Sequence, residues 1–274
     1  MKNKFIYSTS QLSRFYDLTP KGLAYYEKQG LIHPKRKEES SYRIFQLDDC
    51  YSLYHSKFYK NSGLSLKEMV DLEKGRSLQE VIQSLNNSAA KELEKIRIEE
   101  RILERVQEIT GLLNDFMKNG PTYKLTDRPD SYRLFVRNFD FHHVSDEKSA
   151  EEFAKWNSYI PINTASLLYK KEKALSNDQE MNVNIANIIS AKDLDFLGLE
   201  KSDLVIHYPS CRCIETIISG KSNGIDSSEW LQKPLQYLKE NEYTLNGDIL
   251  TSMLLVTGEK DNRTRYDLAW FPID

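Results

Sequence analysis

Lys21, Tyr25, Lys35, Arg36, Lys37, Tyr42 and Arg43 crowd cations and phenols into one short stretch of a 274-residue chain. Ammonium and guanidinium groups at that density suit phosphate oxygens, which they meet through charge-assisted hydrogen bonds. Contacts of this kind supply affinity and salt dependence but little sequence choice. A second set lies downstream: Tyr132, Phe135, Phe139, Trp156, Tyr169, Tyr208, Trp230, Tyr266 and Trp270, with Glu215 and Asp267 among the nearby acids. Aromatic faces attract organic cations, and a buried carboxylate would complete such a site. A third set is Cys211-x-Cys213, which places two thiols on one face of a strand. Two ligands do not close a Zn²⁺ or Cu(I) site, and His142-His143 is too distant in sequence to be paired with them. Structural cysteines, no metal and no cofactor are the expectation.

The elements that must hold the basic window are legible from their ends. Ser8 with Gln11 forms a capping-box pattern that opens a helix at Thr9 and runs it to about Tyr16. Thr19 is a good N-cap and Pro20 a good first helical residue, so a second helix follows and closes at Gly30. Leu23 and Tyr26 share its inner face, leaving Lys21, Gly22 and Tyr25 outward. Ile32–Phe45 reads as a hairpin wing that climbs on Lys35-Arg36-Lys37, turns at Glu38-Glu39-Ser40-Ser41 and returns on Tyr42-Arg43. Leu47 to about Lys60 is a third helix, and Ser65 with Glu68 opens a fourth. Taken singly, exposed basic residues are ordinarily just solvated and Tyr25-Tyr26 would serve in a core. The ordered set points to a winged helix-turn-helix.

That order, with Leu23-Ala24-Tyr25-Tyr26-Glu27-Lys28-Gln29-Gly30-Leu31 and then Ser41-Tyr42-Arg43, resembles the MerR family of transcription regulators over roughly residues 5–75. The resemblance implies a DNA interface formed by Thr19, Lys21, Gly22 and Tyr25 of the second helix, by Lys35, Arg36, Lys37, Tyr42 and Arg43 of the wing, and by Lys57 and Lys60. The second helix would reach base edges in the major groove. Ala24 stands where the family usually has Arg, which puts the operator sequence in doubt more than the DNA-binding role.

Residues 1–76 therefore form the expected DNA-binding domain and 77–120 a connector. The connector has no Pro, opens on a Ser77/Glu80 capping box and stops at Gly120-Pro121. Ile102, Val106, Ile109, Leu113 and Phe116 step by a coiled-coil period. Ile82, Leu85, Ala89, Leu93 and Ile96 continue it upstream after one phase shift, with an interruption expected near Asn86-Asn87-Ser88. Uninterrupted, the helix would span about 60 Å. Either it is a core helix, or, as its charged flanks and the resemblance favour, it is the seam of an antiparallel homodimer.

Residues 121–274 change to mixed patterning. Strands are expected at 131–137, 165–169, 182–188, 212–218, 249–256 and 266–271, with helices at 150–159 and 227–241. This is strand-helix-strand-strand twice, at a spacing of about 80 residues. The arrangement resembles a GyrI-like effector-binding domain, and the domain order resembles the multidrug-sensing branch of the MerR family. The expected fold is thus α+β in three parts. The resemblance implies a pocket drawn from Tyr132, Phe135, Tyr169, Tyr208, Glu215, Trp230, Tyr266, Asp267 and Trp270, taking a small hydrophobic or cationic effector. Family members often carry Glu where this chain has Leu268.

Composition fits these parts. Residues 1–60 hold eleven Lys/Arg against six Asp/Glu, and the remainder 27 against 35, so a basic head joins an acidic body. No signal-peptide pattern opens the chain and no apolar run approaches a membrane span, so a cytoplasmic protein without membrane partners is expected. The expected function is a non-enzymatic, dimeric regulator, chiefly an activator, acting on double-stranded promoter DNA and RNA polymerase. Two alternatives stay open: a GyrI-like hydrolase using Tyr266 or Tyr208 with Glu215, and an architectural DNA binder that ignores ligands.

Overall fold

The computed structural model describes residues 6–37, 40–73, 75–135, 147–176, 183–260 and 262–274. The chain divides into two compact units, Met1–Arg97 and Ile98–Asp274.

In the first unit the end signals act as expected. Helix α1 (Thr9–Tyr16) opens where Gln11 N donates to Ser8 Oγ at 3.3 Å and Ser8 N donates back to Gln11 Oε1 at 2.9 Å. Helix α2 (Pro20–Lys28) opens where Gly22 N donates to Thr19 Oγ1 at 3.0 Å. It closes on Gly30 at φ +76°, with Gly30 N donating to Glu27 O and Leu31 N to Tyr26 O, both at 3.0 Å. That pair satisfies carbonyls the helix end would otherwise leave open, and only glycine takes such a φ without strain. Strands β1 (Lys35–Arg36) and β2 (Arg43–Ile44) form a hairpin in the register Lys35↔Ile44 and Arg36↔Arg43. The turn expected at Glu38-Glu39 lies outside the described residues.

Asp49 anchors this hairpin. Near the start of α3 (Leu47–Asn61) its carboxylate accepts His33 N and Gln46 N, each at 2.8 Å, from either side of the hairpin. Beneath lie Leu12, Leu23, Ile32, Phe45 and Leu53, each worth about 1.5–3 kcal/mol in burial. Helices α4 (Leu66–Glu73) and α5 (Leu78–Asn119) both open on the capping boxes read from sequence, Ser65/Glu68 and Ser77/Glu80.

Helix α5 corrects two expectations. It is continuous through Asn86-Asn87-Ser88, because Ser88 turns its hydroxyl out of the helix and donates to Ser62 O at 2.5 Å. The downstream half of the stripe assigned to a dimer seam is also largely occupied within its own unit. Ile102 packs beside Leu134, Trp156 and Ile189, and Ile109, Leu113 and Phe116 pack on the sheet around Leu250, Leu268 and Trp270. Ile82, Leu93, Ile96 and Val106 of that stripe stay exposed, as do Leu78, Leu103 and Met117 outside it.

The second unit is built on an eight-stranded sheet among the described residues. In chain order its elements are β3 (Lys124–Arg128), β4 (Ser131–Leu134), α6 (Glu147–Asn157), β5 (Thr164–Tyr169), α7 (Lys171–Ala174), β6 (Asn184–Ser190), α8 (Ala191–Phe196), β7 (Val205–Tyr208), β8 (Cys211–Lys221), α9 (Glu229–Glu240), β9 (Ile249–Thr257) and β10 (Thr264–Pro272). All described pairings are antiparallel, in the order β3-β8-β10-β9-β5-β6-β4-β7. The expected duplication is visible as β4-α6-β5-β6 and β8-α9-β9-β10. Strands β3 and β7 were not foreseen, and each precedes one half in sequence while pairing with the other. The expected run to Arg137 stops at Leu134 among the described residues, and Val136, Arg137 and Asn182 lie outside them.

The two halves meet at β5 and β9, where the ladder is short: only Leu168↔Leu250 and Tyr169↔Ile249 pair. Beyond it, side chains span the gap. Leu167 N donates to Thr251 Oγ1 at 3.0 Å, and the hydroxyls of Thr164 and Ser252 share a 2.8 Å bond. Helix α9 packs on one sheet face through Trp230, Leu231 and Leu238, and the second part of α5 packs on the other. No described helix is long and apolar enough to cross a membrane.

Candidate DNA interface and effector cavity

In the first unit, α2 presents Lys21 and a half-exposed Tyr25 outward while Leu23 is fully buried, as its periodicity requires. Thr19 spends its hydroxyl on the helix cap, and Gly22 supplies the N–H that the hydroxyl accepts. Lys35, Lys37, Lys60 and Tyr42 are exposed on the hairpin and α3. Lys57 Nζ donates to Tyr16 O at 3.3 Å, tying α3 to the end of α1.

Arg36 and Arg43, both expected at the DNA interface, are each also bonded within the head. Arg36 Nη2 donates to Glu27 Oε1 at 2.7 Å and Arg43 Nε to Glu27 Oε2 at 2.6 Å. One α2 carboxylate therefore bridges both strands of the hairpin and sets its position against the helix. Sequence reasoning missed Glu27 as a site residue. Its signal was present: the one acid of α2, directly after the Tyr-Tyr pair and upstream of the wing cations.

In the second unit the nine predicted effector residues do not converge on one cavity. Tyr208, Tyr266 and Trp270 belong to the core beneath α5, where Tyr266 meets Phe116 edge-on with centroids 5.8 Å apart. Trp270 Nε1 donates to Glu215 Oε2 at 2.8 Å. Tyr169 and Trp230 lie in the α9 core, and the Tyr169 hydroxyl donates to Ile225 O at 2.9 Å. Burial, with the Asp267 charge nearby, raises the Tyr169 pKa above its ordinary value. Tyr132 stacks on His207 at 4.7 Å, with its ring centroid 4.4 Å from Lys201 Nζ, while Phe135 follows β4 with its N–H donating to Leu204 O. Phe139, His142 and His143 lie outside the described residues.

Asp267 is fully buried on the face opposite Leu268, as alternation predicted, but it is not free. It accepts Arg265 Nε at 2.7 Å, Arg265 Nη2 at 2.8 Å and the Thr251 hydroxyl at 2.6 Å. A cleft of about 220 Å³ beneath α5 collects Arg101, Arg105, Ser252, Leu268 and Trp270. Its acids are also engaged: Asp193 receives Arg101 Nε at 2.6 Å, and Glu108 receives Arg101 and Arg105. Although burial raises the Asp193 pKa, bonds from Arg101 and Ser190 outweigh it and hold the carboxyl below its ordinary value. Cys213 is wholly buried, and burial pushes its thiol pKa up to about 12, which keeps it protonated and a poor ligand. Glu215 accepts Trp270 Nε1, and among the described residues no hydrogen bond joins it to Tyr208 or Tyr266.

Where β5 and β9 splay, a cavity of about 460 Å³ opens, lined mainly by apolar side chains from β5, β6, β9, α6 and α5. None of the predicted effector residues lines it. No local sequence pattern marks it, because it is made by a ladder that ends early between strands some 80 residues apart.

Residues 7–86 match the family model described as MerR HTH family regulatory protein. The chain is similar to YyaN of Bacillus subtilis (strain 168), an uncharacterized HTH-type transcriptional regulator: they are 30% identical over 114 residues, 37% of this chain and 83% of that protein. An uncharacterized HTH-type transcriptional regulator of Synechocystis sp. is 27% identical over 101 residues, 33% of this chain and 74% of that protein. Among solved structures, the cryo-EM EcmrR–DNA complex in EcmrR-RPo covers 98% of this chain and 99% of that one, at 17% identity and a TM-score of 0.36.

Proposed function

The chain belongs to the MerR HTH family of regulatory proteins, a DNA-binding transcriptional regulator, and from that premise we propose that it is an effector-responsive activator working as a homodimer. The observation that carries the reading is the outward face of α2, Lys21 and Tyr25, beside a hairpin held in place by Glu27. Helix α2 enters the major groove, and Lys35, Lys37 and Tyr42 meet the backbone as the wing. Arg36 and Arg43 act mainly by positioning that wing. Lys57 and Lys60 lie at the edge of the same surface.

Dimerisation uses α5. Four of its exposed apolar side chains, Leu93, Ile96, Leu103 and Val106, recur at three- and seven-residue steps and stay exposed among the described residues. A second copy lying antiparallel buries them and presents two α2 helices to a pseudo-palindromic site. The body is read as a GyrI-like effector domain, supported by its duplicated strand-helix-strand-strand order. The effector favours a state in which promoter DNA is deformed so that RNA polymerase can engage it. Deformation costs several kcal/mol, so the effector must bind the two states with different affinity.

Retention of promoter fragments by the purified protein tests the assignment. Tyr25→Ala and Lys21→Ala are expected to weaken binding at physiological salt by about tenfold or more, in line with the worth of a good base or charged contact. Unchanged affinity in both variants would remove α2 from the interface.

A further inference from the structure

We propose that the cavity between β5 and β9 is a binding site for an uncharged, largely apolar molecule carrying one amide-like polar group, and that organic cations are not its ligands. The inference rests on the effector reading of the body and narrows it to a ligand class and a place. Small-molecule sites commonly measure 300–1,000 Å³ and are mostly apolar with few polar groups. This cavity, at about 460 Å³, has that character, with Ala165, Met253, Phe153 and Ile109 among its walls and no charged lining residue. It exists because the β5–β9 ladder stops after two pairs, and hydroxyls then hold the halves apart.

Its polar groups form one cluster. Asn187 Nδ2 donates to Asn157 Oδ1 at 2.7 Å, which leaves Asn157 Nδ2 as a donor and Asn187 Oδ1 as an acceptor with no bond among the described residues. A donor beside an acceptor complements an amide, a lactam or an aniline N–H. Organic cations have no counter-charge here. Asp267, on the same face of the sheet as its partner Met253, is neutralised by Arg265 and also accepts the Thr251 hydroxyl. A cation entering would be buried without a partner, which is costly.

Equilibrium binding to the full-length protein distinguishes the classes with three probes: N-phenyl-1-naphthylamine (neutral), its sulfonated analogue 1-anilinonaphthalene-8-sulfonate (anionic) and tetraphenylphosphonium (cationic). The neutral probe is expected to bind at least about tenfold tighter than either ion, reflecting the penalty on unpaired buried charge. Ala165→Phe and Met253→Trp, which fill the cavity from opposite walls, should each abolish that binding while promoter retention persists. A cooperative thermal transition followed by the fluorescence of Trp156, Trp230 and Trp270, all in the body, shows that a variant is folded. Tighter binding of tetraphenylphosphonium, or neutral-probe binding that survives both fillings, would overturn the assignment, as would no binding of the neutral probe. Loss of promoter binding by the unmodified protein would instead sink the regulatory reading, whatever the probes do.

Discussion

Glu27 holds Arg36 and Arg43 together at 2.7 and 2.6 Å, and this changes what those arginines are expected to do. If they act by fixing the hairpin, Glu27→Gln will lower operator affinity, by roughly tenfold for the loss of two charge-assisted bonds, even though the variant gains positive charge. A rise in affinity, measured by fluorescence anisotropy, would mean the arginines are merely held back from DNA. Asp193 offers a test in the body. Its folded pKa is lowered, so its contribution is fully present above the unfolded value of about 3.9 and is lost as pH falls through the folded value. Asp193→Asn should therefore lower the unfolding free energy from urea titration at pH 7, by about 1.5–3 kcal/mol for bonds to a charged group. The gap between variant and parent should close at strongly acid pH; an equal gap at pH 7 and at acid extremes would show that packing, not charge, is responsible.

Helix α5 shows why elements differ in how far sequence reveals them. Its start and its end were legible, as were the capping boxes of α1, α4 and α5, because a cap depends on residues three apart. Its partners were not. Both an intramolecular sheet and a second helix leave apolar residues at steps of three and four, so Ile102, Ile109, Leu113 and Phe116 looked like a seam when they serve the body. The division predicts two phenotypes. Leu93→Glu with Leu103→Glu should shift sedimentation toward single chains with little loss of folded structure, each substitution removing about 1.5–3 kcal/mol of interface burial. Ile109→Glu should instead lower the melting temperature of the body. Loss of dimer by Ile109→Glu without unfolding would reverse the assignment. Gly63 also belongs at this scale. At φ +85°, a Cβ there would stand 2.6 Å from Glu92 Oε1 and 2.8 Å from Ser88 Oγ. Gly63→Ala should destabilise the first unit by about 1 kcal/mol or more, through strain at positive φ and displacement of both side chains.

Across the whole molecule, the basic head, the long helix and the duplicated body were all readable, since charge distribution, helical period and an 80-residue repeat survive in one dimension. The proposed ligand cavity was not. Rings scattered through the body serve several cores, and the cavity arises from a splay between strands far apart in sequence, with Asn157 and Asn187 meeting only in the fold. Leu268, in place of an acid, was the one local hint that cations are not the ligands. The central claim is that two chains grip one promoter site through their basic heads. Titrating full-length protein into a labelled fragment from upstream of its own gene, at two salt concentrations, tests it most directly. The account predicts saturation at two chains per site, with affinity falling by about 10³-fold or more between 50 and 200 mM salt if some six phosphates are contacted. Saturation at one chain per site, or no saturation at about 10 µM protein at physiological salt, where even non-specific binding would register, would contradict it.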